Sequence, residues 1–158
     1  MPAIPEHTNA ISAEGMAEAQ RELEHRREVK RAEIVAAIKA AREDGDLKEN
    51  AEYHAAREEQ GLNESRIRVL EHHLAKAEVR EGASGGSAGI GSRVRYHDKG
   101  GDNISEVTLV HPLESNVSEG KVSVESPVGK ALLDTREGDR VELETARGAK
   151  QLEIVSVS

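Results

Sequence analysis

The chain has 158 residues, a net charge of −8, 33% charged side chains and 1% aromatics, with no Phe, Trp or Cys. This excludes disulfides, thiolate metal sites and a large aromatic core, and leaves room for one domain or two small ones. Residues 1–80 carry 13 basic and 17 acidic side chains, and residues 81–158 carry the same excess of acid, so neither half is a bulk polybasic binder of nucleic acid. No stretch approaches the roughly 20 apolar residues that span a bilayer. The first residues lack the basic start and apolar run of a signal peptide, so a soluble cytoplasmic protein is expected.

Met1 to about Ser12 carries two prolines and little pattern, and reads as a loosely held lead-in. From Ala13 to Glu43 the chain reads as helix, which at about 1.5 Å per residue gives a rod on the order of 45 Å long. Its apolar positions are Met16, Ala19, Leu23, Val29, Ile34, Val35, Ile38 and Ala41. The stripe is clear in the second half and poor in the first, where Arg26, Arg27, Lys30 and Arg31 crowd it. Asp44-Gly45-Asp46 breaks the helix, because glycine tolerates turn geometry and Asp bonds its own backbone there.

A second helix is expected from about Leu47 to Val79. Ala56, Gln60, Asn63, Ile67, Leu70, Leu74 and Ala77 follow steps of four and three, the spacing of a coiled-coil seam. Folding the chain about Leu47 sets Ile38 near Ala56, Ile34 near Gln60 and Leu23 near Leu70. An antiparallel helical hairpin over residues 1–80 follows, too narrow to hold a ligand pocket. His72-His73 is not a metal site on this reading, since neighbours on a helix point about 100° apart.

Residues 81–90 are rich in Gly and Ser and read as a flexible linker. Beyond them the period changes to alternation. Val94/Tyr96, Val107/Leu109, Val122/Val124, Val141/Leu143 and Leu152/Ile154 mark about five strands, and Ser126-Pro127 opens a short helix. Residues 91–158 are thus expected to form a small antiparallel sheet with one helix against it, making the chain α+β.

The hairpin tip carries two acids, Asp46 and Glu49, whose spacing has two readings. Asp-x-x-Glu ahead of a helix is the pattern of a capping box. The other is a second role for two exposed carboxylates beside the cap. A cap uses only one or two of a carboxylate's lone pairs, so the two readings are compatible. The basic residues of the hairpin, including Arg57, Arg66 and Arg68, read equally as solvated flank or as contacts for RNA or a protein channel.

The uninterrupted run from Ala40 to Gly61, which contains Gly45-Asp46-Leu47-Lys48-Glu49-Asn50-Ala51-Glu52-Tyr53-His54-Ala55-Ala56-Arg57, resembles the hairpin tip of bacterial transcript cleavage factors of the GreA/GreB family. The likeness covers most of the chain and is closest from Glu33 to Val79. Ser126 to Leu132 resembles the family's second recognisable segment, which lies in a domain of FKBP-like fold. Such a fold raises prolyl isomerisation, but residues 91–158 hold one aromatic, Tyr96. A proline cleft wants an apolar, commonly aromatic lining, so that activity is not expected.

The resemblance implies a factor that works inside bacterial RNA polymerase. Its C-terminal domain would dock on the polymerase, with Ser126 and Pro127 at the contact, and its hairpin would enter the secondary channel. Asp46 and Glu49 would there help to hold a second Mg2+ at the polymerase's active centre. Arg57 would contact RNA or polymerase near the backtracked nascent RNA 3′ end. The factor would lend ligands without being a nuclease alone, bind no Mg2+ tightly in isolation, and act as a monomer. The alternatives are a polymerase-binding relative that occupies the channel and inhibits, and a coiled-coil adaptor whose acids are only a cap.

Overall fold

The computed structural model describes residues 9–46, 49–80 and 86–158. Most of the expected lead-in, the tip residues 47–48 and the linker residues 81–85 lie outside the described residues. The chain divides into two compact units, Met16–Lys76 and the rest.

Two short strands, β1 (Ala10–Ile11) and β2 (Glu78–Val79), pair in parallel and belong to the second unit. Ala10 and Ile11 are buried, and Arg80 N–H donates to Ile11 O at 2.9 Å. The end of the lead-in is therefore fixed, where the sequence suggested a loose arm. The second long helix stops at Lys76, because residues 78 and 79 are taken into this ladder.

The C-terminal domain is a five-stranded sheet of β3 (Arg93–Asp98), β4 (Ile104–Val110), β5 (Lys121–Ser123), β6 (Arg140–Thr145) and β7 (Gly148–Val157), in the order β5-β4-β3-β7-β6. All its neighbours are antiparallel except β4 and β5, so the sheet is mixed rather than wholly antiparallel. Its core joins Val94, Leu109, Val124, Leu132, Leu152 and Ile154 with Ala88. Ala88 N–H donates to Thr135 O, and Asp134 N–H donates to Ala88 O, at 2.8 and 2.7 Å. The Gly/Ser run is thus docked by residue 88, earlier than the expected linker end at 90. A short helix, α4 (Pro127–Leu132), lies so close to β5 that a Cβ on Gly129 would stand 1.9 Å from Ser123 O. Only glycine fits there.

The helical unit is built from α1 (Ala13–His25), a five-residue π turn (Arg26–Lys30), α2 (Arg31–Glu43) and α3 (Ala51–Lys76). Ser12 Oγ accepts Gly15 N–H at 3.0 Å and starts α1 as a Ser cap does. On the return side α3 runs antiparallel to α2. Ile34, Ile38 and Ala56 form one buried cluster with Tyr53 against it, and Ala19, Leu23, Ala41, Ile67 and Leu70 extend the seam. Val29 and Val35 point away, at 42% and 59% exposed. Each buried Ile or Leu contributes about 1.5–3 kcal/mol, whereas an exposed pair such as Arg27–Glu71 contributes about 0.2–1 kcal/mol. Aliphatic layers therefore carry the hairpin's stability.

Between Leu23 and Ile34 the first strand of the hairpin offers the seam no buried apolar residue, and polar groups fill the gap. Arg26 guanidinium donates to Asn63 Oδ1 at 3.1 Å, and Asn63 Nδ2 donates back to Arg26 O at 3.3 Å. That same carbonyl accepts Arg31 N–H, the bond that closes the π turn. A side chain competing for a helix carbonyl is an identifiable cause of such a widened turn. Glu22 sits beside it, accepting from Arg66 at 2.8 and 3.0 Å and from Arg26 at 2.7 Å. The Arg66 hydrogen bonds, with Arg26 behind them, hold the Glu22 carboxyl down from 4.5 to about 2.

A carboxylate whose pKa is lowered by folding adds stability that is complete above its unfolded value and is lost as pH falls through its folded value. Wild type is therefore expected to melt above Glu22→Gln at neutral pH, and the difference should shrink between pH 4.5 and pH 2. Thermal melts of both proteins across that range check this, and a gap that does not change with pH contradicts it.

Candidate functional site

Helix α2 ends at Glu43, with Asp44 N–H turning back to Ala41 O at 3.2 Å. Gly45 follows at φ +123°, a conformation that L side chains rarely adopt, with nothing near its Cβ position. The break therefore rests on backbone freedom, as the sequence indicates. Helix α3 begins at Ala51, and its first turn is served by Asn50: Oδ1 accepts Tyr53 N–H at 3.0 Å. Asn50 Nδ2 donates to Ala41 O at 2.5 Å, on the opposite side of the hairpin.

The cap observed at the first turn of α3 is thus Asn50, one residue beyond the Asp-x-x-Glu pattern. Both acids are exposed and line one shallow concavity with Asp44, Asn50, Ala51 and Glu52. Four carboxylates thus border a small surface. Among the described residues no three metal-binding side chains converge to hold an ion. Carboxylates are hard oxygen donors of the kind that Mg2+ prefers.

Arg57 lies in a different place, along an open groove with Val35, Ile38, Lys39, Arg42, Glu43 and Gln60. Its guanidinium is exposed and donates to Gln60 Oε1 at 2.7 Å. Lys39 and Arg42 make the groove more basic than Arg57 alone, a grouping that becomes visible once α2 and α3 are packed together. The Arg42 guanidinium also stands 5.8 Å from the Tyr53 ring centroid, within the range of a cation–π contact.

Ser126 and Pro127 belong to the other unit. Ser126 Oγ accepts Gly129 N–H at 3.0 Å and donates to Ser123 O at 2.6 Å, so this hydroxyl is engaged in capping α4. Pro127, at the first helical position, is exposed. Of the two residues it is the one with surface to offer. The capping role of Asn50 was readable in principle, because Asn is among the best caps, but the acidic pattern before it was the stronger signal.

Because Asn50 meets the first turn of α3, Glu49→Ala should leave the helical content and melting of the protein unchanged. Asn50→Ala should lower stability by about 1 kcal/mol. Circular dichroism melts check this, and an equal loss in both variants returns Glu49 to a capping role.

Residues 9–79 match the family model described as "Transcription elongation factor, N-terminal", and residues 83–158 match "Transcription elongation factor, GreA/GreB, C-term". The chain is 43% identical over 150 residues to transcription elongation factor GreA of Xylella fastidiosa (strain M23), spanning 93% of this chain and 95% of that one. Against the factor of the same name from Methylobacterium nodulans it is also 43% identical, over 94% of this chain and 95% of that one. Among solved structures, GreA factor homolog 1 of Thermus thermophilus is 32% identical, with 94% and 97% of the two chains covered and a TM-score of 0.43. By its two family matches and these relatives, the chain belongs to the GreA/GreB family of transcription elongation factors.

Proposed function

We propose that the chain binds bacterial RNA polymerase, places its hairpin in the secondary channel, and stimulates the polymerase's own cleavage of backtracked RNA. The observation that carries this reading is that Asp46 and Glu49 are exposed and line one concavity at the hairpin tip. Asp44 and Glu52 border the same concavity.

Asp46 and Glu49 would present carboxylate oxygens to a second Mg2+ in the polymerase active centre. A second ion in such a site supplies an activated water and stabilises the leaving oxygen of the RNA. The tip residues orient and share ligands in this scheme, and the phosphodiester chemistry belongs to the polymerase. Arg57, with Lys39 and Arg42 along the same groove, would meet the phosphates of the nascent RNA 3′ end or the channel wall. Pro127 would contribute to docking of the C-terminal domain. Ser126 would act there only indirectly, by holding α4 in shape. The protein would work as a monomer and bind Mg2+ tightly only inside the assembly.

Stalled elongation complexes test the reading. Wild type should shorten backtracked RNA from its 3′ end and restore elongation. Asp46→Ala or Glu49→Ala should abolish that stimulation while competing with wild type for polymerase at nearly unchanged concentration. Variants that cleave at the wild-type rate contradict the role of the acids. A wild-type protein that binds and blocks without cleavage makes it an inhibitor instead.

A further inference from the structure

One side chain at the tip bonds both helices. Asn50 donates through Nδ2 to Ala41 O and accepts through Oδ1 from Tyr53 N–H. Ala41 O, in the last turn of α2, also accepts Asp44 N–H, and Tyr53 N–H is one of the donors that a helix start leaves open. One carboxamide therefore serves the last turn of α2 and the first turn of α3 together.

Both ends of this bridge are anchored. Ala41 is 2% exposed, in the seam. Tyr53 packs against Ile34, Ile38 and Ala56, and Arg42 lies over its ring. Asp46 and Glu49, by contrast, are exposed and stand on the loop that the bridge spans.

We propose that Asn50 is a positioning residue of the tip, whose carboxamide ties Ala41 to Tyr53 and so fixes the span on which Asp46 and Glu49 are held. The inference rests on the reading that these two acids act as metal ligands. Asparagine suits the task because a short amide carries both a donor and an acceptor. Asp and Ser cap helices as well as Asn does. Asp lacks the N–H donor for Ala41 O and sets an acceptor against that carbonyl, and Ser is too short to reach it. Either replacement keeps the cap and removes the bridge.

The test compares wild type, Asn50→Asp, Asn50→Ser and Glu49→Ala in stalled complexes titrated with Mg2+. Circular dichroism and polymerase competition are run alongside. Both Asn50 variants should keep helical content and polymerase binding. Their Mg2+ requirement for half-maximal cleavage should rise about tenfold, the usual effect of removing a group that orients a ligand. Excess Mg2+ should recover the rate. Slower cleavage with an unshifted Mg2+ curve, or loss of helical content in both variants, makes Asn50 a structural cap and overturns the inference. Wild-type cleavage in both Asn50 variants overturns it while leaving the parent reading intact, provided Glu49→Ala is inactive. An active Glu49→Ala overturns the parent reading itself.

Discussion

Two packed helices have no interior beyond the seam between them, so the placement of everything at their end depends on the register in which that seam closes. Here the aliphatic layers are thin: Ile34, Ile38 and Ala56 near one end, and Leu23, Ile67 and Leu70 farther along. Alanines and isoleucines at alternating steps tolerate a slip poorly but do not forbid it. The polar set in the middle discriminates more sharply. Asn63 is 2% exposed and bonded on both sides to Arg26, and Arg66 holds Glu22 through two hydrogen bonds. A slip would break these pairs and leave the buried Asn63 amide without its partners, at a cost of about 1–3 kcal/mol for that group. Polar residues inside a helical seam have their best-attested use in specifying register. The wide turn at Arg26–Lys30 is the local backbone form that accompanies this arrangement.

From that register follows the position of the tip. Asn50 bonds both helix ends, Tyr53 fills the last aliphatic layer, and Gly45 supplies the turn. Asp46 and Glu49 are exposed beside them. In the C-terminal domain, Ser126 and Gly129 shape α4 and Pro127 presents surface.

The parts legible in the sequence were those whose signal is periodic. The long helices, their antiparallel pairing and the five strands each follow from repeated spacing of Ile, Leu, Val and Ala. The tip was legible as a long uninterrupted likeness to a known family. What escaped depends on partners far apart in the chain. The β1–β2 ladder joins residues 10–11 to 78–79, across the whole hairpin. The parallel pairing of β4 with β5 depends on the excursion between them, and strand alternation is the same in either direction. Ala88 looked like linker because its neighbours are Gly and Ser, yet it sits in the sheet's core. Asp46 and Glu49 matched the spacing of a capping box, but the helix begins later than that spacing implies. Its first turn is met by Asn50 instead.

The metal dependence of cleavage tests most directly whether the tip carboxylates bind metal inside the polymerase. Asp46→Asn keeps size and one acceptor oxygen while removing the charge. In stalled complexes it should need more Mg2+ than wild type for half-maximal cleavage. Mn2+, which binds oxygen sites more tightly, should recover part of the rate. Glu58→Gln, on the exposed surface of α3, should match wild type at every metal concentration. Superimposable metal curves for wild type and Asp46→Asn would contradict the account.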